Sequence, residues 1–244
     1  AGGFGKLAAA VGENLGTPEQ KVYTGTVGQL AASRFESLSV LLVEAAQVPP
    51  RRTQGLPDEA FARGKVPMTK QEVRAAVLAK LGVQPGELLW DVGAGTGSVS
   101  VELALAAPRG RVYAVECDPE ACALIRQNKE KFAVRNLTLV EGTAPAALEN
   151  LPAPDAVFIG GTKGNMAAVV EAALARNPAA RVCISAIALE TLSAAVAALT
   201  AHGLQAEVCQ ISVSRAKAAG KLHLLMANNP IFLITRADEA EKSV

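Results

Sequence analysis

The segment from Asp91 to Gly97 is the part of this sequence whose residue types most clearly indicate binding chemistry. It stands between an apolar run and a stretch of helical character. Glycines in such a turn let backbone N–H groups approach a ligand closely, and the dipole of the following helix assists binding. We therefore expect a cofactor to be held by this segment, called the glycine loop below, through Asp91, Gly93, Ala94, Gly95, Thr96 and Gly97.

The spacing within the glycine loop favours S-adenosylmethionine over a nicotinamide dinucleotide. Dinucleotide dehydrogenases carry loops of similar composition, so glycines alone are weak evidence. Here the order is Gly93-x-Gly95-x-Gly97 instead of G-x-G-x-x-G, and Asp91 precedes the first glycine. A carboxylate at this position can orient the loop and, directly or through water, meet the methionine ammonium group.

Two further segments are placed to contact the adenosine part of that cofactor. The second predicted strand ends on Glu116, about twenty residues after the loop, where a carboxylate accepts hydrogen bonds from both ribose hydroxyls; the alternative is that Glu116 only caps the strand end. After the third predicted strand, Thr143 stands where many related enzymes carry Asp. Its hydroxyl and the backbone amide of Ala144 are the predicted adenine contacts.

A sulfonium is already an activated methyl donor, so the other requirements of methyl transfer concern the residues that bind the acceptor. The protein must align the acceptor and, where the acceptor is weak, remove a proton. After the fourth predicted strand, the sequence Gly160-Gly161-Thr162-Lys163-Gly164 suits close backbone approach to a large or anionic ligand. Neither the Asn/Asp-Pro-Pro-aromatic tetrad of amino-directed base methylation nor an Asp after Ile159, which metal-dependent catechol methyltransferases need, is present. The prediction is a site without metal.

The elements that must position these residues alternate between strands and helices. This alternation predicts an α/β fold: a Rossmann-like, doubly wound seven-stranded sheet of the class I methyltransferase type, closed by an antiparallel hairpin. A short polar stretch after Val213 is expected to join the last two strands. The predicted strands are Leu88–Val92, Arg111–Val115, Leu137–Val140, Ala156–Ile159, Arg181–Ser185, Ala206–Val213 and Leu222–Thr235. Thr69 is expected to cap the helix before the first strand, and Gly82 to end it.

The amino-terminal part of the sequence has a different character. Helical stretches are predicted near 7–12 and 19–32, followed by a strand from Ser39 to Glu44. A segment rich in proline, glycine and charge then predicts a boundary near residue 50. The expected organisation is an amino-terminal remnant of another domain at 1–48, a linker at 49–66 and the methyltransferase domain at 67–238.

Composition limits the class of protein. Among 244 residues, half are hydrophobic and the formal net charge is +1, so no general electrostatic case exists for nucleic-acid binding. The four cysteines form no C-x-x-C pair, which disfavours zinc and a disulfide framework and indicates a reducing, cytoplasmic compartment. No apolar run reaches the length of a membrane span.

Several segments resemble the decarboxylating precorrin methyltransferases of cobalamin synthesis, over residues 55–236. The resemblance is carried by Gly55–Phe61, Met68–Arg74, Leu89–Val99, Phe158–Gly161, Ser185–Thr191, Ser214–Lys217 and Asn229–Pro230. It implies methylation of carbon 15 of a corrinoid precursor and loss of carbon dioxide from its ring C acetate. Residues 1–48 resemble the tail of the tetrapyrrole methylase domain that precedes this one in two-domain precorrin-6Y enzymes. Whether the precorrin carries cobalt stays open.

The resemblance also implies which residues meet the acceptor. A tetrapyrrole with many carboxylates requires cations, for which Arg215, Lys217 and Lys163 are the candidates, with Lys70 and Arg74 weaker. The backbone at Gly160 and Gly161 and the carboxylate of Glu190 complete the predicted substrate set, although Glu190 could instead cap a helix. Thr69 is expected near the methionine end of the cofactor. No catalytic residue is assigned, because the conjugated macrocycle is itself a carbon nucleophile. Related proteins imply a homo-oligomer such as a tetramer, with the apolar region 222–234 as a contact.

Two rival functions remain at this point. An RNA adenine methyltransferase would share a similar sheet, but the near-zero charge and the absent tetrad count against it. A non-catalytic module that only binds S-adenosylmethionine is the other. The glycine loop, Glu116 and the acceptor-side segments all look intact, which argues against loss of activity.

Overall fold

The computed structural model describes residues 5–44 and 54–237, and the chain divides into two compact units, 1–51 and 52–244. The predicted boundary segment Pro49 to Thr53 lies outside the described residues. In the large unit, Leu56 and Phe61 are buried in the core. The described part of the predicted linker, residues 54–66, therefore packs mostly as part of the large unit.

The small unit is a three-stranded antiparallel sheet with one short helix. Its strands are β1 (Ala8–Glu13), β2 (Lys21–Thr26) and β3 (Ser39–Val43) in the order β2-β1-β3, and the helix is α1 (Val27–Leu30). The predicted strand at 39–44 is confirmed. The predicted helices near 7–12 and 19–32 are wrong over β1 and β2, because pairing on both sides of β1 outweighs the helix propensity of its alanines.

The large unit contains the predicted seven-stranded sheet. Its order is β6-β5-β4-β7-β8-β12-β9, with every neighbouring pair parallel except those of β12, which runs antiparallel to β8 and β9. The strands are β4 (Leu88–Val92), β5 (Arg111–Glu116), β6 (Leu137–Glu141), β7 (Ala156–Ile159), β8 (Arg181–Ala186), β9 (Ala206–Ile211) and β12 (Ile231–Arg236). The α/β fold class is confirmed.

Helices cover both faces of this sheet and bury one apolar cluster on each. The cluster around Val77, Leu103 and Ile125 lies on one face, and the cluster around Trp90 and Val169 on the other. Trp90 is fully buried, and its Nε1 donates to the carbonyl of Pro152 at 3.2 Å. The helices are α2 (Gln71–Leu81), α3 (Ser98–Ala106), α4 (Pro119–Lys131), α5 (Met166–Arg176) and α6 (Leu189–Ala201), with short 3-10 turns at Asp58–Ala60 and Ala146–Leu148. Within the described ranges, no helix is long and apolar enough to cross a membrane.

The carboxy-terminal part differs from the prediction in one respect. The polar stretch after Val213 is itself a strand, β10 (Ser214–Ala219), which pairs with β11 (Leu222–Ala227) in a separate two-stranded hairpin. The region from Leu222 to Thr235 is therefore two strands, β11 and β12. The antiparallel pair that closes the main sheet is β9 with β12, and the hairpin is inserted between them.

The predicted start of α2 also needs correction. Its amino-terminal capping residue is Lys70, and no side chain caps the helix, so Thr69 does not cap it as expected. The backbone carbonyl of Thr69 instead accepts a hydrogen bond from the guanidinium of Arg74. The predicted end is confirmed, because Gly82 has a left-handed conformation with φ of 54°.

Candidate functional site

The site lies where the strand order of the sheet reverses, between β4 and β7. Ligands bind open α/β sheets at this point, beyond the carboxyl ends of the strands. The amides of Gly93 and Ala94 donate to the carbonyl of Val115 at 3.0 and 3.2 Å, and that of Gly160 donates to Val92 at 2.8 Å. These bonds anchor the glycine loop and the Gly160 to Gly164 segment, called the acceptor loop below, at the same edge of the sheet.

Close backbone contact between these two loops requires glycine at position 93. Gly93 has φ of +71°, and a Cβ atom there would lie 2.3 Å from the carbonyl oxygen of Gly161. No side chain fits at that distance, and an L-residue also disfavours that φ. The requirement for Gly93 is therefore both steric and conformational.

A cavity of about 1010 Å³ opens at this edge of the sheet. Eight of the ten predicted cofactor residues line it, whereas Asp91 and Gly97 do not. Gly97 is instead the amino-terminal capping residue of α3, with φ of +73°, and a Cβ there would lie 2.9 Å from Ile125. The eight lining residues are Thr69, Gly93, Ala94, Gly95, Thr96, Glu116, Thr143 and Ala144.

Glu116 holds the backbone around the cavity in place. One carboxylate oxygen accepts from the amide of Gly95 at 2.8 Å, and the other accepts from the amides of Cys117 and Asp118 at 2.8 and 2.9 Å. A carboxylate offers about four lone-pair sites, so these three bonds leave acceptor capacity. Glu116 can thus support the glycine loop and still accept a hydrogen bond from a ligand hydroxyl in the cavity.

Asp91 lies behind the loop instead of in the cavity. Its side chain is fully buried and accepts a hydrogen bond from the hydroxyl of Ser100, while Oδ1 has no hydrogen-bond partner among the described residues. Burial raises the pKa of Asp91 to about 7, and the charge of Glu116 adds to the rise, although the bond from Ser100 opposes it. The geometry therefore gives no support to direct contact between Asp91 and a methionine ammonium group.

Thr96 provides an independent indication of a ligand. The residue lines the cavity, is 1% exposed, and its Oγ1 has no partner within the part of the chain that the structure describes. Buried hydroxyls are normally hydrogen-bonded. Together with the glycine backbone and the spare acceptor capacity of Glu116, this hydroxyl fits a polar cofactor such as S-adenosylmethionine.

The predicted substrate residues divide into two groups. Gly160, Gly161 and Lys163 line the cavity. Glu190 is exposed in the first turn of α6, and Lys217 is exposed on β10. Neither lines the cavity, so their predicted roles gain no support from the geometry.

Arg215, one of the three cations predicted to contact the substrate, is also outside the cavity lining. Its guanidinium is paired with two carboxylates of the protein: Nη1 lies 3.0 Å from Asp58 and Nη2 lies 2.6 Å from Glu72. Arg74, the weaker candidate, is completely buried and paired with Asp58 and Glu102. Both guanidinium groups are therefore paired with carboxylates of the protein itself.

The structure adds lining residues that the sequence did not single out. Lys65 lines the cavity beside Lys163, and so does Lys70, which the sequence indicated only as a weaker candidate for binding the substrate. The base of the β10–β11 hairpin contributes Ile211, Val213, Asn228, Asn229 and Ile231. In the sequence, only the family resemblance at Asn229-Pro230 indicated that the hairpin base belongs to the site. Among the described residues, no group of three His, Cys, Asp or Glu side chains could hold a metal ion.

Comparison with known proteins agrees with this geometry. The sequence profile of the precorrin methyltransferase domain family matches residues 59–236. A probable cobalt-precorrin-6B C(15)-methyltransferase (decarboxylating) from Pyrobaculum calidifontis is 46% identical over 189 residues, covering 76% of this chain and 97% of that protein. The crystal structure of precorrin-6y C5,15-methyltransferase from Geobacter metallireducens has a TM-score of 0.72 at 40% identity, covering 75% and 98% of the two chains.

A longer relative matches only in part. The precorrin-6Y C(5,15)-methyltransferase (decarboxylating) from Sinorhizobium is 41% identical over 175 residues, which are 70% of this chain and 42% of that protein. The relatives do not favour the RNA adenine methyltransferase or the non-catalytic module. They confirm the predictions of a methyltransferase and, at the level of the family, of S-adenosylmethionine as its cofactor. On the fold, the site and the matched residues together, this chain belongs to the precorrin methyltransferase family.

Proposed function

We propose that this chain transfers a methyl group from S-adenosylmethionine to carbon 15 of a precorrin and releases the ring C acetate carboxyl group as carbon dioxide. The observation that carries the proposal is the cavity at the strand-order reversal, where the glycine loop, Glu116 and the acceptor loop meet. The activity in the names of the relatives at 40–46% identity supports the same reaction.

The donor side of the cavity is assigned to the residues nearest the glycine loop. When bound, S-adenosylmethionine supplies an activated methyl group on its sulfonium. Glu116 would accept from the ribose hydroxyls, the Thr96 hydroxyl and the loop amides would bind the methionine end together with Thr69, and Thr143 and Ala144 would contact the adenine. Asp91 acts through the loop backbone and through its charge, since its side chain does not line the cavity.

The acceptor side is assigned to the three lysines that line the cavity. Lys65, Lys70 and Lys163 are cations of the kind that pairs with substrate carboxylates. A hydrogen bond with Cys117 raises the pKa of Lys163, so the bond and the usual basicity of a lysine both favour the charged form. The backbone at Gly160 and Gly161 allows a large macrocycle to approach closely. No side chain is assigned as a base, because the conjugated ring supplies the electron pair.

The test of the reaction uses the full chain with a precorrin-6 precursor and S-adenosylmethionine carrying a labelled methyl group. Mass spectrometry should show gain of one methyl and loss of one carbon dioxide. Parallel incubations with metal-free and cobalt-containing precursor identify the form used. Gain of methyl alone would contradict the decarboxylation, and binding of cofactor without any turnover would contradict catalysis.

The raised pKa of Asp91 predicts a pH dependence of cofactor binding. Ionisation of Asp91 adds a negative charge close to a site for a cationic cofactor, so binding should favour the ionised form and release a proton. Affinity should therefore rise with pH from 6 towards the pKa of about 7 and level off above it, by at most about tenfold per pH unit. Isothermal titration calorimetry in buffers of different ionisation enthalpy measures both the affinity and the proton.

Two variants separate Asp91 from other groups that titrate in this range. Asp91→Asn should flatten the profile, and Ser100→Ala should shift its midpoint to higher pH, because the bond from Ser100 lowers the pKa of Asp91. The Ser100 variant keeps the test decisive if the buried amide introduced by Asp91→Asn destabilises the fold. An unchanged profile in Ser100→Ala and in folded Asp91→Asn protein would overturn the prediction.

We further propose the setting in which the chain works. Residues 1–48 correspond to the tail of a tetrapyrrole methylase domain, which rests on the resemblance of their sequence to such domains. Four free cysteines support a cytoplasmic location, and the near-zero net charge supports a partner other than nucleic acid. Exposed Leu224, Leu225 and Met226 on the hairpin support a homo-oligomer such as a tetramer. Sedimentation of a monomer at micromolar concentration would contradict that oligomer.

A further inference from the structure

A network of charged side chains joins two walls of the cavity, and no step of the proposed reaction uses it. At its centre, the buried guanidinium of Arg74 pairs with Asp58 at 2.9 Å and with Glu102 at 2.8 Å. Arg74 also donates to the carbonyls of Leu56 and Thr69, and its guanidinium stacks 4.6 Å above the Phe61 ring. These contacts hold the chain from residue 55 to the start of α2.

The segment held by Arg74 forms one wall of the cavity. Residues 65–70 line it, and the carbonyl of Pro67 lies so close to the glycine loop that a Cβ on Gly95 would be 3.2 Å away. At the end of this segment, the Thr69 carbonyl is fixed directly by Arg74. The position of Lys70 therefore depends on the ion pairs behind it.

The base of the β10–β11 hairpin forms another wall, and Arg215 connects it to the first. Arg215 is two residues from Val213, whose carbonyl accepts from the amide of Asn228 at 2.9 Å to close the hairpin base. Its guanidinium reaches Asp58 at 3.0 Å and Glu72 at 2.6 Å. Asp58 is thus shared between two arginines, Arg74 behind the 65–70 wall and Arg215 on the hairpin.

The charge states of Asp58 and Glu72 favour ion pairs with Arg215 that persist at neutral pH. Burial by itself raises the pKa of Asp58, but hydrogen bonds and charges from Arg74 and Arg215 outweigh it and lower the pKa below its usual value. The hydrogen bond from Arg215 likewise lowers the pKa of Glu72. Both carboxylates therefore stay ionised at neutral pH, and the planar fork of an arginine can hold them at a defined angle.

We propose that Arg215 is a positioning residue of the acceptor site: by bridging Asp58 and Glu72 it sets the distance between the 65–70 wall and the hairpin base. This inference rests on the proposed function for the identity of the acceptor. Of the residues assigned to the cofactor, only Thr69 belongs to these two walls, and its carbonyl is held by Arg74 directly. The bridge therefore acts mainly on the walls that must enclose the larger substrate. Loss of the bridge should affect the acceptor far more than the cofactor.

The test begins with Arg215→Gln, which removes the charge from a half-exposed side chain. We expect the KM for the precorrin to rise about tenfold, with kcat changed less than about threefold and the Kd for S-adenosylmethionine within about twofold. Arg215→Lys should recover part of the loss, because it keeps the charge without the planar fork. An unchanged KM in Arg215→Gln would overturn the proposal.

A second variant distinguishes positioning from direct contact with substrate. Glu72→Gln weakens the bridge from its other end, so it should also raise the KM, and the double variant should be no worse than Arg215→Gln alone. If Arg215 contacted the substrate directly, Glu72→Gln would free it and leave the KM unchanged or lower, which would overturn the proposal. Glu207→Gln is the matched control, because the Lys80–Glu207 pair has similar exposure and lies outside this network.

Hydrogen–deuterium exchange provides a readout that does not need turnover. In Arg215→Gln, amide exchange should be faster than in the unsubstituted protein at both walls. The peptides to follow cover 211–213 and 228–231 of the hairpin base and 65–70 of the other wall. Those from β4 and β5 should be unchanged. Absence of turnover in the unsubstituted protein would contradict the proposed function, whereas unchanged exchange at both walls would contradict the bridge itself.

Discussion

Replacement of Gly93 by alanine is expected to reduce the affinity for S-adenosylmethionine on the order of a hundredfold. The new Cβ would lie 2.3 Å from the carbonyl oxygen and 2.7 Å from the amide nitrogen of Gly161, both of them backbone atoms. No rotamer change relieves such a contact, so the glycine loop and the acceptor loop must move apart. Both loops line the cavity, and a displacement of about 1 Å has effects of that size on binding and catalysis.

The control separates the clash from backbone strain. Gly203 has the same φ of +71°, but a Cβ there would meet no atom within 4 Å. Gly203→Ala should therefore cost about 1 kcal/mol of stability from conformation alone and leave the affinity unchanged. Calorimetric titration of both variants, with melting curves to show that they are folded, measures the effect. Near-normal affinity in folded Gly93→Ala protein would show that the contact between the two loops is not required.

Replacement of Arg74 by methionine should produce the largest loss of stability. The buried carboxylate of Glu102 would lose the cation it is paired with, Asp58 would keep only Arg215, and the Leu56 carbonyl would lose its donor. Breaking a buried pair in this way costs about 3–5 kcal/mol, because a desolvated charge is left uncompensated. Arg74→Lys should restore little, since one ammonium group cannot reproduce the forked contacts.

Urea unfolding measures this loss through the single tryptophan. Trp90 is fully buried in the large unit, so its fluorescence reports the unfolding of that unit. Arg126→Met is the control, because the Arg126–Glu141 pair is more than half exposed on both sides. Exposed pairs contribute less than about 1 kcal/mol, and the control should shift the transition accordingly. Equal shifts in the two variants would contradict the view that burial of the charges sets the cost.

Local patterns in the sequence were sufficient for the sheet and for much of the donor side. Apolar runs followed by Gly or an acidic residue predicted both ends of β4 and predicted β5 to within one residue, and hence the positions of the glycine loop and Glu116. Such features depend on neighbours within a few residues, since strand burial and turn conformation are local requirements. The alanines of β1 led to a wrong helix prediction, because helix propensity is a local property whereas strand pairing depends on distant residues.

Side-chain partners that are distant in sequence could not be predicted in this way. Arg215 stands in a segment of clear family resemblance, which suggested a cation for the substrate. Its ion pairs with Asp58 and Glu72 cross 157 and 143 residues of chain. No periodicity or spacing indicates them, because they exist only after the hairpin packs beside α2. The same holds for Thr69, whose carbonyl is used by Arg74 while its hydroxyl caps nothing.

By itself, the sequence determined the class of fold, the cofactor and the family. The spacing of the glycines, the acidic residues at strand ends and the segments of family resemblance each consist of residues that are close together in the sequence. The tertiary structure decided which of the candidate residues face the cavity. It placed Asp91 behind the glycine loop and Arg215 in a network of ion pairs, and it brought Lys65, Lys70 and the hairpin base into the cavity lining. The physical reason is that a charged side chain is committed by the partners that desolvate and neutralise it, and these partners come together only when the chain folds.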